Sequence, residues 1–189
     1  MSKIYLIRHG RTLANEKKLY CGSTDLSLSK GGEEALKTLR YELPEQTKYI
    51  VSGMKRTVET LHCLFGDVPF QTDERFREID FGVFEMKSYE ELKNDADYLR
   101  WITGDQENNV PPMGESGAAM KRRVLEAFDE LKEMPETVVL ISHGGVIAAI
   151  MEELFPKEGK NRYEWQPSFG GGYLIEEGAY RKLENENII

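Results

Sequence analysis

This sequence lacks the features that mark exported, membrane-spanning and nucleic-acid-binding proteins. It has only two cysteines, Cys21 and Cys63, without a CxxC motif, which favours a reduced, cytoplasmic protein with no disulfide. No apolar run approaches the length of a membrane span, and the N-terminus has a strand pattern instead of a signal peptide. The 25 basic and 33 acidic residues give a net charge of −8, which argues against nucleic-acid and anionic-membrane partners.

What the sequence does contain is an alternation of strand and helix patterns along 189 residues, enough chain for one domain spanning residues 1–189. Apolar, β-branched runs predict strands, and apolar residues at helical spacing predict helices. The alternation predicts an α/β fold, a three-layer α/β/α sandwich around a mainly parallel mixed sheet. The predicted strands are 3–8, 48–52, 70–72, 137–142 and a hairpin of 173–176 with 180–183; the predicted helices are 29–41, 54–65, 88–102, 115–133 and 145–155.

Two short segments resemble each other, because each is an apolar strand followed by His-Gly. They are residues 4–10, IYLIRHG, and residues 138–145, VVLISHGG, and they hold two of the three histidines, His9 and His143. Ligands of open α/β sheets bind beyond the C-terminal ends of the strands. We therefore expect both imidazoles to face one site, whereas His62, within a predicted helix, is interpreted as structural.

Three further residues are candidates for chemistry at that site. Arg8 stands beside His9, and Arg56 lies in the first turn of a predicted helix, where a guanidinium suits a bound phosphate or carboxylate. Glu78 lies among aromatic residues that could desolvate it, as a general acid requires. The residues alone leave plainer readings open: a histidine bonded within its loop, an arginine paired with a carboxylate such as Glu59, and a surface carboxylate.

These residues also belong to a series of blocks in a fixed order. A single Arg-His-Gly motif would be weak evidence for any family. The ordered series of blocks, which runs from residue 3 to about residue 150, resembles the histidine phosphatase superfamily, also called phosphoglycerate mutase-like. The blocks are RHGRTLAN at 8–15, Gly22-x-x-Asp25 with Leu28 and Gly32, Arg56-Thr57-x-x-Thr60, Glu78-x-x-x-Gly82-x-Phe84-Glu85, Gly114-Glu115-Ser116 and Ser142-His143-Gly144-Gly145.

The resemblance implies a role for each matched residue. His9 would be the nucleophile that forms a phosphohistidine, and Glu78 would protonate the leaving oxygen and then activate water. No metal and no cofactor are implied, because side chains supply the positive charge. Arg8, Arg56 and His143 would hold the phosphoryl oxygens; Asn15, Cys21 and the backbone near Gly22 and Gly144 would complete the substrate-binding pocket. Cys21 could also be an oxidation-sensitive thiol or a spare buried one.

Departures from the family pattern favour a phosphatase over a mutase. Ile79 and Phe81 stand where the mutases resemble one another in an Arg and a Tyr, and Gly145 stands where they usually have Asn. The remaining pattern looks like the α-ribazole phosphatase group and its broad-specificity relatives, from which Met86 and Ala148 depart. The implied substrate is a small phosphorylated metabolite whose identity the motifs leave open.

Several alternatives remain open from the sequence. The chain could be a phosphoglycerate mutase, a non-catalytic phosphate-binding protein, or a metal-binding protein that uses His9 and His143. The stretch 86–113 could act as a substrate lid, or its helix could simply pack on the domain. The C-terminal hairpin has an exposed edge that could pair two subunits into a homodimer.

Overall fold

A mixed sheet of six strands forms the centre of the computed structural model, which describes residues 3–105 and 107–183. The strands are β1 (Ile4–Arg8), β2 (Thr47–Val51), β3 (Phe70–Thr72), β4 (Thr137–Ser142), β5 (Gly172–Glu176) and β6 (Ala179–Leu183). In the order β3-β2-β4-β1-β5-β6, the first four strands are parallel, and β5 joins β1 and β6 in antiparallel pairs. The predicted α/β fold with a mostly parallel mixed sheet is confirmed, although residues 1, 2, 106 and 184–189 of the predicted domain lie outside the described part.

Helices cover both faces of this sheet. Side chains alternate along β1, so that Ile4 and Leu6 pack on one face, and Tyr5 and Ile7 pack on the other. Each buried apolar side chain of this kind contributes about 1.5–3 kcal/mol to stability. The helices are α1 (Leu13–Glu16), α2 (Lys30–Leu36), α3 (Lys55–Phe65), α4 (Tyr89–Leu92), α5 (Ala96–Ile102), α6 (Gly117–Lys132) and α7 (Gly144–Leu154), with 3-10 turns at Glu74–Phe76, Gly82–Phe84 and Pro156–Glu158. The face of Ile4 and Leu6 packs against α6 and α7, and the face of Tyr5 and Ile7 packs against α2 and α3.

The predicted helix 29–41 is wrong in its extent. Ser29 caps it as expected, because its Oγ accepts from the Gly32 N–H at 3.1 Å. The helix nevertheless ends at Leu36, where the Leu39 N–H donates back to the Leu36 carbonyl at 3.0 Å in a tighter i to i−3 turn. Two glycines within so short a helix weaken it further.

The predicted helix 88–102 is also wrong, because it is two short helices, α4 and α5. Asp95 separates them: its Oδ1 accepts from the N–H groups of Asp97 and Tyr98 at 2.9 and 3.0 Å, which caps a new helix instead of continuing the old one. The buried ring of Tyr98 then anchors α5 against Phe84 and Tyr20. The second helix is thereby packed on the domain.

Candidate active site

The two strand ends that carry the histidines are neighbours in the sheet. β1 and β4 pair with Arg8 opposite Ser142, and the His9 N–H donates to the Ser142 carbonyl at 2.9 Å. The rings of His9 and His143 lie edge to face with centroids 5.2 Å apart. Their side chains are 6% and 0% exposed. The structure therefore brings both imidazoles together at one edge of the sheet, as the two strand patterns predict.

The backbone fixes the tautomer of His9. Its Nδ1 lies 2.6 Å from the Gly10 carbonyl, which can only accept, so Nδ1 carries the proton and Nε2 keeps its lone pair. The Gly10 N–H donates in turn to Thr60 Oγ1 at 2.9 Å, which ties this turn to α3. Burial, and then the charges of Arg56 and Arg8, lower the pKa of His9 well below 6.5. The ring is therefore neutral at neutral pH, with the Nε2 lone pair unprotonated.

Arg56 lies almost fully buried in the first turn of α3. Its Nη2 and Nη1 donate to the carbonyls of Gly22 and Thr24 at 2.7 and 2.9 Å. Its Nε donates to His143 Nδ1 at 3.3 Å. Burial lowers the pKa of Arg56, but a guanidinium stays protonated in proteins. The site therefore keeps a positive charge that backbone oxygens orient without neutralising.

His143 lies behind His9 with both ring nitrogens in use. Because Nδ1 accepts from Arg56, Nε2 carries the proton and donates to Ser52 Oγ at 2.8 Å. Burial, and then the charges of Arg56 and His9, lower the pKa of His143 well below 6.5. In this arrangement His143 orients Arg56, and its expected contact with a phosphoryl oxygen stays a prediction.

Arg8 reaches the site from the end of β1. Its Nη1 donates to the Pro167 carbonyl at 2.8 Å, and its guanidinium carbon lies 4.1 Å from the centre of the Phe169 ring. Its Nε is the one buried side-chain donor left without a partner in the part of the chain that the structure describes. Such a donor is costly until an acceptor reaches it. Burial lowers the pKa of Arg8 without removing its charge.

Two glycines at the start of α7 leave space for the side chains of Arg8 and Glu78. A Cβ on Gly144 would lie 3.0 Å from the Arg8 Cζ and 2.8 Å from Gln166 Oε1. A Cβ on Gly145 would lie 2.5 Å from Glu78 Oε1. Because that space is open, Glu78 Oε2 accepts from the Gly145 N–H at 3.0 Å, while Oε1 accepts from the Ile79 N–H at 3.0 Å. The helix start thus fixes the position of the carboxylate.

A cavity of about 280 Å³ opens above these residues. Five expected residues line it: Arg8, His9, Asn15, Cys21 and Glu78. Much of the remaining wall is apolar or aromatic. Among the described residues, Arg162 is the one further basic side chain that lines the cavity. The other lining residues are Leu19, Tyr20, Ile79, Phe81, Trp101, Ile102, Met120, Arg162, Tyr163, Gln166 and Gly145.

Residues 4–171 match the sequence profile of the histidine phosphatase superfamily (branch 1). The chain belongs to that superfamily. The resemblance seen in the sequence blocks is therefore confirmed, and the protein is an enzyme of the histidine phosphatase class, whose substrates are small phosphorylated molecules.

The similar proteins carry two kinds of name, phosphatase and phosphoglycerate mutase. The adenosylcobalamin/alpha-ribazole phosphatase of Salmonella typhimurium is 31% identical over 164 residues, which cover 80% of this chain and 79% of that protein. The probable phosphoglycerate mutase GpmB of Yersinia enterocolitica is 28% identical over 198 residues, covering 93% and 92%. The crystal structure of the alpha-ribazole phosphatase from Shigella flexneri shares the fold, with a TM-score of 0.83 at 24% identity over 99% of this chain and 98% of that one.

In this superfamily member, four of the expected residues are not among those lining the cavity. Arg56 and His143 are buried and bonded to each other, and a Cβ on Gly144 would meet Arg8. Gly22 donates its N–H to Glu85 and accepts from Arg56 through its carbonyl. Gly22 therefore helps to hold Arg56, and its expected part in the substrate-binding pocket stays a prediction.

Asn15 and Cys21 line the cavity, and hydrogen bonds to neighbouring residues orient both side chains. Asn15 Oδ1 accepts from the N–H and hydroxyl of Thr12, both at 2.9 Å, which leaves the Nδ2 donor for the cavity. Cys21 Sγ donates to the Thr24 carbonyl at 3.5 Å. Burial raises the pKa of Cys21, so it lines the wall as a neutral thiol.

The segment between α7 and β5 contributes three wall residues that the sequence did not indicate, Arg162, Tyr163 and Gln166. They follow the last family block and belong to no helix or strand pattern. A local signal exists only for their anchor, Trp165, an aromatic residue that is 1% exposed and packs on Tyr173 and Tyr180.

Within 3–105 and 107–183, no group of three or more His, Cys, Asp or Glu side chains is arranged to hold a metal ion. No helix in the same ranges is long and apolar enough to cross a membrane.

Proposed function

We propose that this enzyme hydrolyses phosphomonoesters through a phosphohistidine on Nε2 of His9, with no metal or cofactor. The observation that carries the proposal is the lock on the His9 ring, because the bond from Nδ1–H to the Gly10 carbonyl leaves the Nε2 lone pair free to attack. Glu78 lines the same cavity and is held by two N–H groups. These contacts support the proposal that Glu78 serves as the acid and base of the two steps.

The proposed reaction has two steps. In the first, His9 Nε2 attacks phosphorus, the ester P–O bond breaks, and the Glu78 carboxyl gives its proton to the leaving oxygen. In the second, the Glu78 carboxylate takes a proton from water as the water oxygen attacks phosphorus. The P–N bond then breaks, its electron pair returns to His9, and inorganic phosphate leaves.

Positive charge around the phosphoryl group stabilises both transition states. Phosphoryl transfer depends chiefly on positioning and on charge placed at the equatorial oxygens. Arg8 offers its unpartnered Nε, and Arg56 offers a guanidinium whose Nη atoms are held by backbone carbonyls. His143 joins them if its Nδ1 takes up a proton and donates to a phosphoryl oxygen, in place of the long bond that it receives from Arg56 Nε at 3.3 Å.

The wall of the cavity supports a leaving group with an apolar part. Tyr20, Phe81 and Trp101 contact one another with ring centroids 5.2–5.8 Å apart and face the same cavity. A phosphoglycerate carries a carboxylate that would need a cation there, and Arg162 is the basic candidate. We therefore propose a phosphatase for a small phosphorylated metabolite, as the name of the Salmonella relative suggests, with mutase activity as the alternative.

The test is hydrolysis of p-nitrophenyl phosphate in the presence of EDTA by wild type, His9→Ala and His62→Ala. His62 is the matched control, because it is the third histidine and lies exposed on α3. We expect wild type and His62→Ala to be active, and His9→Ala to be inactive. Activity that persists in His9→Ala, or that EDTA abolishes, would contradict the mechanism.

A substrate panel then separates phosphatase from mutase. Alpha-ribazole phosphate, aryl phosphates and 3-phosphoglycerate are compared by kcat/KM, and 2-phosphoglycerate formation is followed by NMR. Release of inorganic phosphate from the first two classes supports the proposal. Interconversion of the phosphoglycerates at a higher rate than any hydrolysis would favour the mutase.

A further inference from the structure

The carboxylate of Glu85 is surrounded by donors from one loop. Oε1 accepts from the N–H groups of Gly22 and Ser23 at 2.9 and 3.0 Å, and Oε2 accepts from the N–H and hydroxyl of Thr24 at 3.2 and 2.6 Å. The Phe81 N–H also donates to Oε1, at 3.1 Å. Successive backbone N–H groups that converge form an anion-binding nest. Here the protein's own carboxylate fills it.

The other side of the same loop holds Arg56. The N–H groups of residues 22–24 face Glu85, whereas the carbonyls of Gly22 and Thr24 accept from the two Nη atoms of Arg56. A carboxylate in direct contact would neutralise the guanidinium, but carbonyl dipoles only orient it. The acidic group is thus kept one peptide layer away from the positive charge.

We propose that Glu85 is a positioning residue for phosphoryl transfer, which holds loop 22–24 so that its carbonyls aim Arg56 at the phosphoryl group. The inference rests on the proposed function, in which Arg56 binds that group. Without the carboxylate, the three N–H groups of the loop and the N–H of Phe81 lose their shared acceptor, and the loop loses the contact that sets the positions of its carbonyls. A displacement of about 1 Å in a positioned group costs roughly 100-fold in rate.

A double-mutant cycle tests this coupling. We measure kcat/KM for p-nitrophenyl phosphate and the Kd of inorganic phosphate for wild type, Glu85→Ala, Arg56→Ala and the double variant. Glu85→Ala is expected to lower kcat/KM roughly 30- to 100-fold in wild type. In the Arg56→Ala background it should cost less than about threefold, because nothing is left to position.

Glu91→Ala is the matched control. Its carboxylate also accepts from a backbone N–H and a hydroxyl, both of Ser88 at 2.8 Å, but it caps α4 and does not lead to Arg56. This variant should keep kcat/KM within about twofold of wild type.

An equal loss from Glu85→Ala in both backgrounds, or no loss in wild type, would overturn the proposal. If Glu85→Ala does not fold, judged by circular dichroism and thermal melting, Glu85→Gln replaces it, since the amide keeps the volume and one accepting oxygen. If Arg56→Ala is too slow to assay, the phosphate Kd values carry the same cycle. An active His9→Ala would refute the proposed function alone, because the phosphate-binding cycle tests Glu85 independently of it.

Discussion

Adding one methyl group at Gly145 should impair catalysis while leaving the fold intact. Gly145 is the second residue of α7, and its N–H donates to Glu78 Oε2 at 3.0 Å. In Gly145→Ala the new Cβ would lie 2.5 Å from Glu78 Oε1, whereas ordinary contact begins near 3.4 Å. The carboxylate therefore has to move by about 0.9 Å, because it is the tip of a flexible side chain and the helix backbone is fixed.

The magnitude follows from that displacement. A shift of about 1 Å in a catalytic group costs roughly 100-fold, and the whole contribution of a general acid or base is typically 10²–10⁴-fold. We expect kcat/KM to fall about 100-fold. Stability should stay equal or rise by up to about 1 kcal/mol, because alanine favours helix over glycine.

The assay compares two leaving groups. p-Nitrophenolate leaves with little protonation, whereas an alkyl alkoxide needs a proton from the acid. The loss in Gly145→Ala should therefore be larger for an alkyl phosphate than for p-nitrophenyl phosphate. Gly31→Ala, in α2, is the control, because the new Cβ would meet only Glu16 Oε1, at 3.8 Å. This variant should be as active as wild type.

Two results would refute this reasoning. One is a Gly145→Ala enzyme as active as wild type on the alkyl phosphate. The other is the same loss for both leaving groups, which would show that the displaced carboxylate does not act as the acid. A crystal structure of the variant would report the movement of Glu78 directly.

Three further predictions concern stability. Ser52→Ala removes the acceptor of the buried His143 Nε2–H and should cost about 1–3 kcal/mol in urea unfolding, and an unchanged midpoint would contradict the bond. Arg123 pairs with Glu115 and donates to the carbonyls of the loop that carries Glu78. Arg123→Met should therefore lower the free energy of unfolding by on the order of 3 kcal/mol, measured by the same urea unfolding. It should also lower kcat. Stability should fall as pH drops below 6.5, because the folded pKa values of His9 and His143 lie well below that value while the unfolded chain binds their protons. The loss approaches about 1.4 kcal/mol per pH unit for each histidine, so urea titrations near pH 7 and pH 5 that gave equal stabilities would contradict it.

Local patterns predicted the elements whose residues carry their own periodicity. The runs at β1 and β4 are apolar on both faces, which is how a strand buried between two helical layers reads. Helix ends were less predictable, because they depend on single polar contacts. Asp95 caps α5 and interrupts the predicted helix 88–102, yet an aspartate at that spacing also fits an exposed helical face.

The candidate active site likewise has residues that the sequence predicted and contacts that it did not. His9, Arg8 and Glu78 were predicted because each stands within a contiguous block, and they line the cavity. The supporting contacts were not predictable, since they join residues distant in the chain. Glu85 and loop 22–24 are about 60 positions apart, and their connection depends on backbone N–H groups that every residue type except proline carries.

The sequence by itself determined the family and the strand-His-Gly pair and predicted the nucleophile, because these depend on short contiguous segments. Only the tertiary structure decided that β1 and β4 are neighbours, that both nitrogens of His143 are paired, and that Trp165 brings residues 162–166 to the cavity wall. Those facts arise from packing and hydrogen bonds between distant residues, whose partners are fixed by the assembled core and leave no local pattern in the chain.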